Sequence, residues 1–271
     1  MKLFACDFDG TFCFPRREVH TRPEDIAAVK AFQARGNLFG FCTGRPIGGL
    51  LPYVEGGIRA DFYITSSGAN VLERDLHPLF SAGIPLDAAQ ALLSWAAEQN
   101  AGRISVHADG EYYALQPMPD MPPCRLVSSL AEISCEMLQN ISIRTRDEGR
   151  AEALTAALAD RFGDAVTPFR NVADIDIVPR GCSKGNGLAL MRARYPGCVC
   201  YGIGDSMNDL PLAESADVAY TFAYAPEALR RQAKRIVSNV AEALTDSLSD
   251  ASQELPRSLA PDGKGKTGQA V

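Results

Sequence analysis

The chain has 271 residues, 46% of them hydrophobic and 22% charged, with a formal net charge of −6. That length implies roughly one or two domains at about 150 residues each, and the balance excludes a mainly disordered chain. No apolar run approaches the about 18 residues that span a bilayer, and the acidic surplus argues against nucleic acid or an anionic membrane surface as the main partner.

Residues 2–6 form a short apolar run that stops abruptly at Asp7, the pattern of a strand buried on both faces. This run is also too short for an export signal. Thr21 stands three residues before Glu24, a capping box, with Pro23 in the first turn of the predicted helix. Ile26, Val29 and Phe32 continue it at helical spacing, and Gly36 stops it. Residues 38–42 and 62–65 read as two further buried strands, the first running into Thr43-Gly44-Arg45-Pro46. An alanine-rich helix follows at 86–99, then β-like segments at 103–107 and 111–115 flanking Ala108-Asp109-Gly110, a hairpin signal. Beyond a proline-rich loop (Pro117, Pro119, Pro122, Pro123) come a strand at 140–144, a helix at 151–162 and a strand at 175–178. A helix from Lys184 runs to about Tyr195, Pro196-Gly197 breaks it, and the strand at 198–203 ends in Gly204-Asp205. Helices and short strands continue to about residue 248, and 249–271, rich in Ser, Pro, Gly and Lys, reads as a disordered tail.

This order predicts an α/β protein whose doubly wound, Rossmann-like, mostly parallel core is built from residues 1–78 and 181–248. An α+β domain is inserted at 79–180. The eight cysteines lack paired Cys-x-x-Cys spacing, and Cys6, Cys42, Cys198 and Cys200 lie in apolar runs. Reduced thiols in a cytoplasmic protein are expected.

In an open parallel sheet the carboxyl ends of the strands line the ligand crevice. Asp7 and Asp9, Thr43, Lys184, and Asp205 with Asp209 all stand just after an apolar strand or at a helix start. Clustered carboxylates repel unless a cation joins them, and hard oxygen ligands select Mg²⁺. Such an ion together with Lys184 would offset a phosphate in an acidic protein.

Four motifs carry a resemblance: Asp7-Phe8-Asp9-Gly10-Thr11, Thr43-Gly44-Arg45, Lys184 in Cys182-Ser183-Lys184-Gly185, and Gly204-Asp205-Ser206-Met207-Asn208-Asp209. In that order they resemble the haloacid dehalogenase (HAD) superfamily, and the large insertion is similar to the class IIB cap of the Cof-type phosphatases. The resemblance covers nearly the whole chain except the tail. It implies Asp7 as nucleophile forming an aspartyl-phosphate, and Asp9 as the acid that protonates the departing alkoxide and then activates water. Thr43 and Lys184 would hold phosphoryl oxygens, joined by Gly44, Arg45 and Asn208. Asp7, Asp205 and the backbone carbonyl of Asp9 would ligate Mg²⁺, with Asp209 supporting through water. Asp9 would need a dry site away from the cation to keep its proton. The expected activity is a Mg²⁺-dependent phosphatase for a small phosphorylated metabolite, such as a sugar phosphate. A phosphomutase or phosphotransferase sharing the intermediate, and a non-catalytic phosphometabolite-binding protein, are the rivals. The oligomeric state stays open.

Other features read as structural. Asp174 and Asp176 alternate with Ile175 and Ile177 as one polar face of a strand. His20, His77 and His107 show no metal-ligand spacing, and Gly202-x-Gly204 lacks the third glycine of a dinucleotide site.

Overall fold

The structure, a computed structural model, describes residues 1–14, 19–54, 57–118 and 124–249. The expected tail lies, from residue 250 on, outside the described residues, as does part of the proline-rich loop. The first stretch of chain supplies β1 (Lys2–Asp7), α1 (Pro23–Ala34), β2 (Leu38–Cys42), α2 (Ile47–Leu50), β3 (Phe62–Thr65), β4 (Asn70–Glu73) and β5 (Pro78–Ser81). The middle supplies β6 (Ile84–Pro85), α3 (Leu86–Glu98), β7 (Arg103–Ala108), β8 (Glu111–Ala114), β9 (Arg125–Leu126) and β10 (Met137–Leu138). It continues with β11 (Asn140–Arg144), α4 (Glu148–Phe162), β12 (Val166–Asn171) and β13 (Asp174–Pro179). The last stretch gives α5 (Lys184–Arg194), β14 (Val199–Ile203), α6 (Leu210–Ser215), β15 (Val218–Thr221), α7 (Glu227–Gln232), β16 (Arg235–Ile236) and α8 (Val240–Ser249).

One sheet has eight strands in the order β16-β15-β14-β1-β2-β3-β4-β5. Its first six strands are parallel, and β4 and β5 add an antiparallel edge. Along β1, Phe4 and Cys6 pack on one side with Phe32 of α1 and Leu244 of α8. Leu3 and Ala5 pack on the other with Leu188 of α5 and Leu212 of α6. Helices on both faces explain why this strand is apolar throughout rather than alternating. From β1 the chain winds outward through β2 on one side and β14 on the other. The carboxyl ends of β1 and β14 therefore flank the switch point where a doubly wound sheet opens into a crevice.

The second large sheet is ordered β12-β13-β11-β7-β8-β9, and β6 pairs separately with β10. Ile104, Val106, Ile141, Ile143, Ile175 and Ile177 face α3 and α4, packing against Leu92, Leu154 and Leu158. Asp109 and Gly110, with φ of +51° and +83°, close the β7–β8 hairpin in two residues, the primed turn that matches strand twist.

Three expectations change. Thr21 is not a helix cap: Arg22 holds that position with no side-chain bond, and the Thr21 hydroxyl is buried without a hydrogen-bond partner. Thr21 instead makes a β-bridge to Cys13, which fixes it outside the helix. The strand Pro78–Ser81 pairs with β4, so the first sheet continues past residue 78, the expected end of its first segment. Helix α4 begins at Glu148 because the Asp147 carboxylate caps it by accepting the Arg150 N–H at 2.8 Å. Asp25, fully buried on α1, accepts the backbone N–H of Ala241 at 2.7 Å and so caps α8 from a distance in sequence.

Candidate active site

Asp7 is the last residue of β1 and is 5% exposed. Asp205 follows β14, whose register puts Ile203 opposite Cys6, so both acids emerge at the same edge. Gly10, with φ of +86°, turns the chain there: a Cβ on it would lie 2.5 Å from Asp205 Oδ2, a close approach that only glycine allows. Ser206 and Asp209 form a reciprocal capping box on the turn Met207–Asp209, and Asp209 Oδ2 accepts the N–H groups of Asp205 and Ser206, each at 3.0 Å. The same residue that caps this turn thus reaches the site.

Lys184 is the first residue of α5, after the Ser183 cap, and is 2% exposed. Its Nζ donates to Asp7 Oδ1 at 2.7 Å and to Asp209 Oδ1 at 2.6 Å. Burial alone would lower the lysine's pKa, but Asp209 and Asp7 outweigh it and hold Lys184 well above its ordinary value. The balance of charge is negative. Burial, then repulsion by Asp209, pushes the Asp7 carboxyl well above the usual range, and the same two causes push Asp205 up to about 7. Carboxylate oxygens of Asp7, Asp205 and Asp209 lie within 4.8 Å of one another. Asp7 Oδ2 is buried and has no hydrogen-bond partner. Three clustered carboxylates, of which only Asp7 and Asp209 bond the ammonium and Asp7 Oδ2 stays unpaired, fit a divalent cation with a preference for hard oxygen ligands.

Thr43 follows β2 and is 1% exposed; its Oγ1 accepts the Arg45 N–H at 3.1 Å, which leaves its own O–H to donate. Arg45, expected to contact phosphate, is bonded here within the protein. Its Nε and Nη2 grip Asp9 Oδ2 and Oδ1 at 2.7 and 2.6 Å, its Nη1 reaches the Gly49 carbonyl, and its guanidinium lies 4.5 Å from the Tyr53 ring centre. Asp9 is likewise neither dry nor remote from positive charge, since its side chain is 43% exposed and held by a bidentate guanidinium. Gly44 sits beneath Asp176 of β13, whose Oδ2 would lie 3.0 Å from a Cβ added there. Asn208 is buried, with its Oδ1 accepting from Ser206 Oγ at 2.6 Å.

Sequence reasoning passed over the groups that face these loops from the second sheet. Asp176 accepts from Ser67 Oγ, and His107 Nδ1 meets Ser66 Oγ at 3.2 Å. Ser66, Ser67 and Gly68 take three consecutive positive φ values (+48°, +52°, +97°), a costly backbone that the surrounding contacts must hold. The Asp-Ile-Asp-Ile alternation announced a polar face of a strand, but not that another part of the chain would cover it.

A doubly wound sheet with acids at its switch point, a lysine between them and an inserted second sheet is the architecture of a phosphoryl-handling hydrolase. The chain belongs to the haloacid dehalogenase-like hydrolase family, whose pattern it matches over residues 4–245. It is 24% identical over 225 residues to an HMP-PP phosphatase of Citrobacter koseri, covering 79% of this chain and 81% of that protein. Among solved structures, it resembles a haloacid dehalogenase-like hydrolase from B. subtilis at a TM-score of 0.79 and 19% identity, covering 93% of this chain and 99% of that one. It also resembles the HAD subclass IIB sugar phosphatase BT4131 at a TM-score of 0.76 and 19% identity, covering 92% and 97% of the two chains. The chain is an enzyme, a hydrolase of this family's phosphatase type.

Proposed function

We propose that this enzyme hydrolyses a small phosphorylated metabolite with the help of Mg²⁺, through an aspartyl-phosphate, an acyl phosphate formed on Asp7. The observation that carries the reading is Lys184 bridging Asp7 and Asp209 while the second oxygen of Asp7 stays unpaired at the crevice. Asp7, Asp205 and the Asp9 carbonyl would hold the ion, with Asp209 behind them because its oxygens already bond Lys184 and two backbone N–H groups. When bound, Mg²⁺ supplies the positive charge that keeps Asp7 ionised and neutralises phosphoryl oxygens.

Asp7 attacks phosphorus in line with the leaving oxygen; the new bond forms from the carboxylate as the ester P–O bond breaks. Lys184 and the Thr43 O–H receive the phosphoryl oxygens. Asp9 protonates the departing alkoxide, then takes a proton from the water that attacks phosphorus and frees Asp7 and inorganic phosphate. Arg45 donates to both Asp9 oxygens and so fixes the orientation of this carboxyl group.

Residues 79–180, apart from the β5 residues that join the first sheet, are read as the cap that closes over the ester. Its enclosure would exclude water from the reacting centre. The eight cysteines are free thiols, which supports a reducing compartment such as the cytoplasm. Among the described residues, no helix is long and apolar enough to cross a membrane. The test is phosphate release from p-nitrophenyl phosphate with and without Mg²⁺. Release that survives Asp7→Asn overturns the nucleophile assignment, and release insensitive to chelation overturns the metal.

A further inference from the structure

The face of the second sheet opposite α3 and α4 is polar, yet it is buried. Strand alternation sets Ser105 and His107 of β7, Asn140 and Ser142 of β11, and Asp176 of β13 on that side, since their neighbours Ile104, Val106, Ile141, Ile143, Ile175 and Ile177 fill the cap's own core. The ladder places Ser142 opposite both Asp176 and Ser105, and His107 opposite Asn140, so these groups form two adjoining rows across three strands. Asp176 marks where the face looks: it lies over Gly44, beside Thr43, and feels the Lys184 charge.

These groups are poorly satisfied by the protein itself. Ser105 Oγ and both polar atoms of the Asn140 side chain are fully enclosed and have no hydrogen-bond partner, and both residues are 0% exposed. Asp176, 8% exposed, has only two neutral hydroxyl donors, Ser67 Oγ and Ser142 Oγ, each at 3.3 Å. No cation pairs with it among the described residues. A buried polar atom left unpaired destabilises the fold, and an unpaired carboxylate does so more strongly. Burial pushes the Asp176 carboxyl up to about 6, as expected for a charge lacking a partner. Five residues chosen only to pack the cap against the core would not be this polar. What they lack is a partner that donates to Asp176 and both donates to and accepts from Asn140 and Ser105.

We propose that Asp176, Asn140 and Ser105 recognise the leaving group, and that this group carries hydrogen-bond donors placed a short reach from the ester oxygen. The assignment rests on the phosphatase reading above and adds the side chains that choose among esters. An apolar alkyl or plain aryl leaving group would strand all three, and a hydroxylated or amino-bearing one would satisfy them.

The experiment compares kcat/KM for donor-bearing esters (a panel of hexose and pentose phosphates, and O-phosphoethanolamine for an ammonium) with that for phenyl phosphate, which has no donor. Wild type, Asp176→Asn and Ser105→Ala are measured with the full chain and Mg²⁺. The wild type should prefer at least one donor-bearing ester, and the two arms of the panel separate hydroxyl from ammonium recognition. Asp176→Asn should lower the ratio of preferred ester to phenyl phosphate at least tenfold, chiefly by raising KM for the preferred ester. Ser105→Ala loses no intramolecular hydrogen bond, so it should fold as well as the wild type and lower the ratio about threefold. A wild type that favours phenyl phosphate, or variants whose ratio stays constant because both substrates fall together or neither moves, overturns the assignment and leaves the phosphatase reading standing. Absence of phosphate release from every ester, phenyl phosphate included, overturns both.

Discussion

The carboxyl edge of the eight-stranded sheet and the inward face of the six-stranded sheet both bury polar groups, but among the described residues only the first brings its own cation. At the core edge Lys184 touches two carboxylates, and the cluster they form with Asp205 is placed so that it could hold a metal ion. On the face of the six-stranded sheet Asp176 has two serines and, among the described residues, no cation, while the side-chain polar atoms of Ser105 and Asn140 have no partner there. The difference separates the two halves of substrate handling. A phosphoryl group is the same in every ester, so its site can be charged and completed in advance; the leaving group varies, so its site is left open for the substrate to complete.

The sharpest break in that comparison comes from Asp7→Asn, which should lower phosphate release from p-nitrophenyl phosphate about 10³-fold or more while leaving a folded protein. Lys184→Met comes next. It strips the shared cation from two buried carboxylates and should cost about 3–5 kcal/mol in denaturant unfolding, less when Mg²⁺ is present. Asp176→Asn should move stability the other way. The folded carboxyl titrates at about 6 against an ordinary 3.8, so the folded state holds its proton more tightly than the unfolded chain. The wild type therefore loses stability as pH rises between about 4 and 6, and the variant escapes a penalty of up to about 3 kcal/mol that is complete above pH 6 and absent below about pH 4. A variant no more stable than wild type at pH 8 would show that Asp176 has a partner this comparison denies it. Added Mg²⁺ should raise the unfolding free energy by about 2.7 kcal/mol at a hundredfold excess over its Kd, a gain that Asp205→Asn should largely remove. The smallest effect is expected for Ser66→Ala, which loses one neutral bond to His107 and should cost about 1 kcal/mol.

Much of the core was legible because its signals are local. Residues 3–6, 38–42 and 198–203 are apolar runs, followed by Asp7, by Thr43 and by Gly204-Asp205. The antiparallel strands β4 and β5 were not, since Asn70–Glu73 and Pro78–Ser81 are short and Pro78 suits only the sheet edge that β5 forms. Strand β12 hid behind Pro168 and Arg170. In the site, Asp7, Asp205, Asp209 and Lys184 came together as their positions after strands and at helix starts implied. Arg45 did not go where its chemistry suggested, because a guanidinium beside Asp9 finds a matching carboxylate at once. The cap face stayed hidden for a different reason. An alternating strand shows which residues share a side, but whether that side meets water or another sheet depends on a fold closed by residues far away in sequence.

The bond from Asp25 to Ala241 spans 216 positions, and β1 pairs with β14 across the whole insertion. During synthesis, then, β1 leaves the ribosome with β2 and β3 available on one side and nothing yet on the other. The middle sheet is almost continuous in sequence, so it can close while the final helices are still being made. Truncations before β14 should therefore yield a folded insertion on an unfinished base, and Asp7, Asp205 and Asp209 would meet only once the last quarter of the polypeptide has emerged.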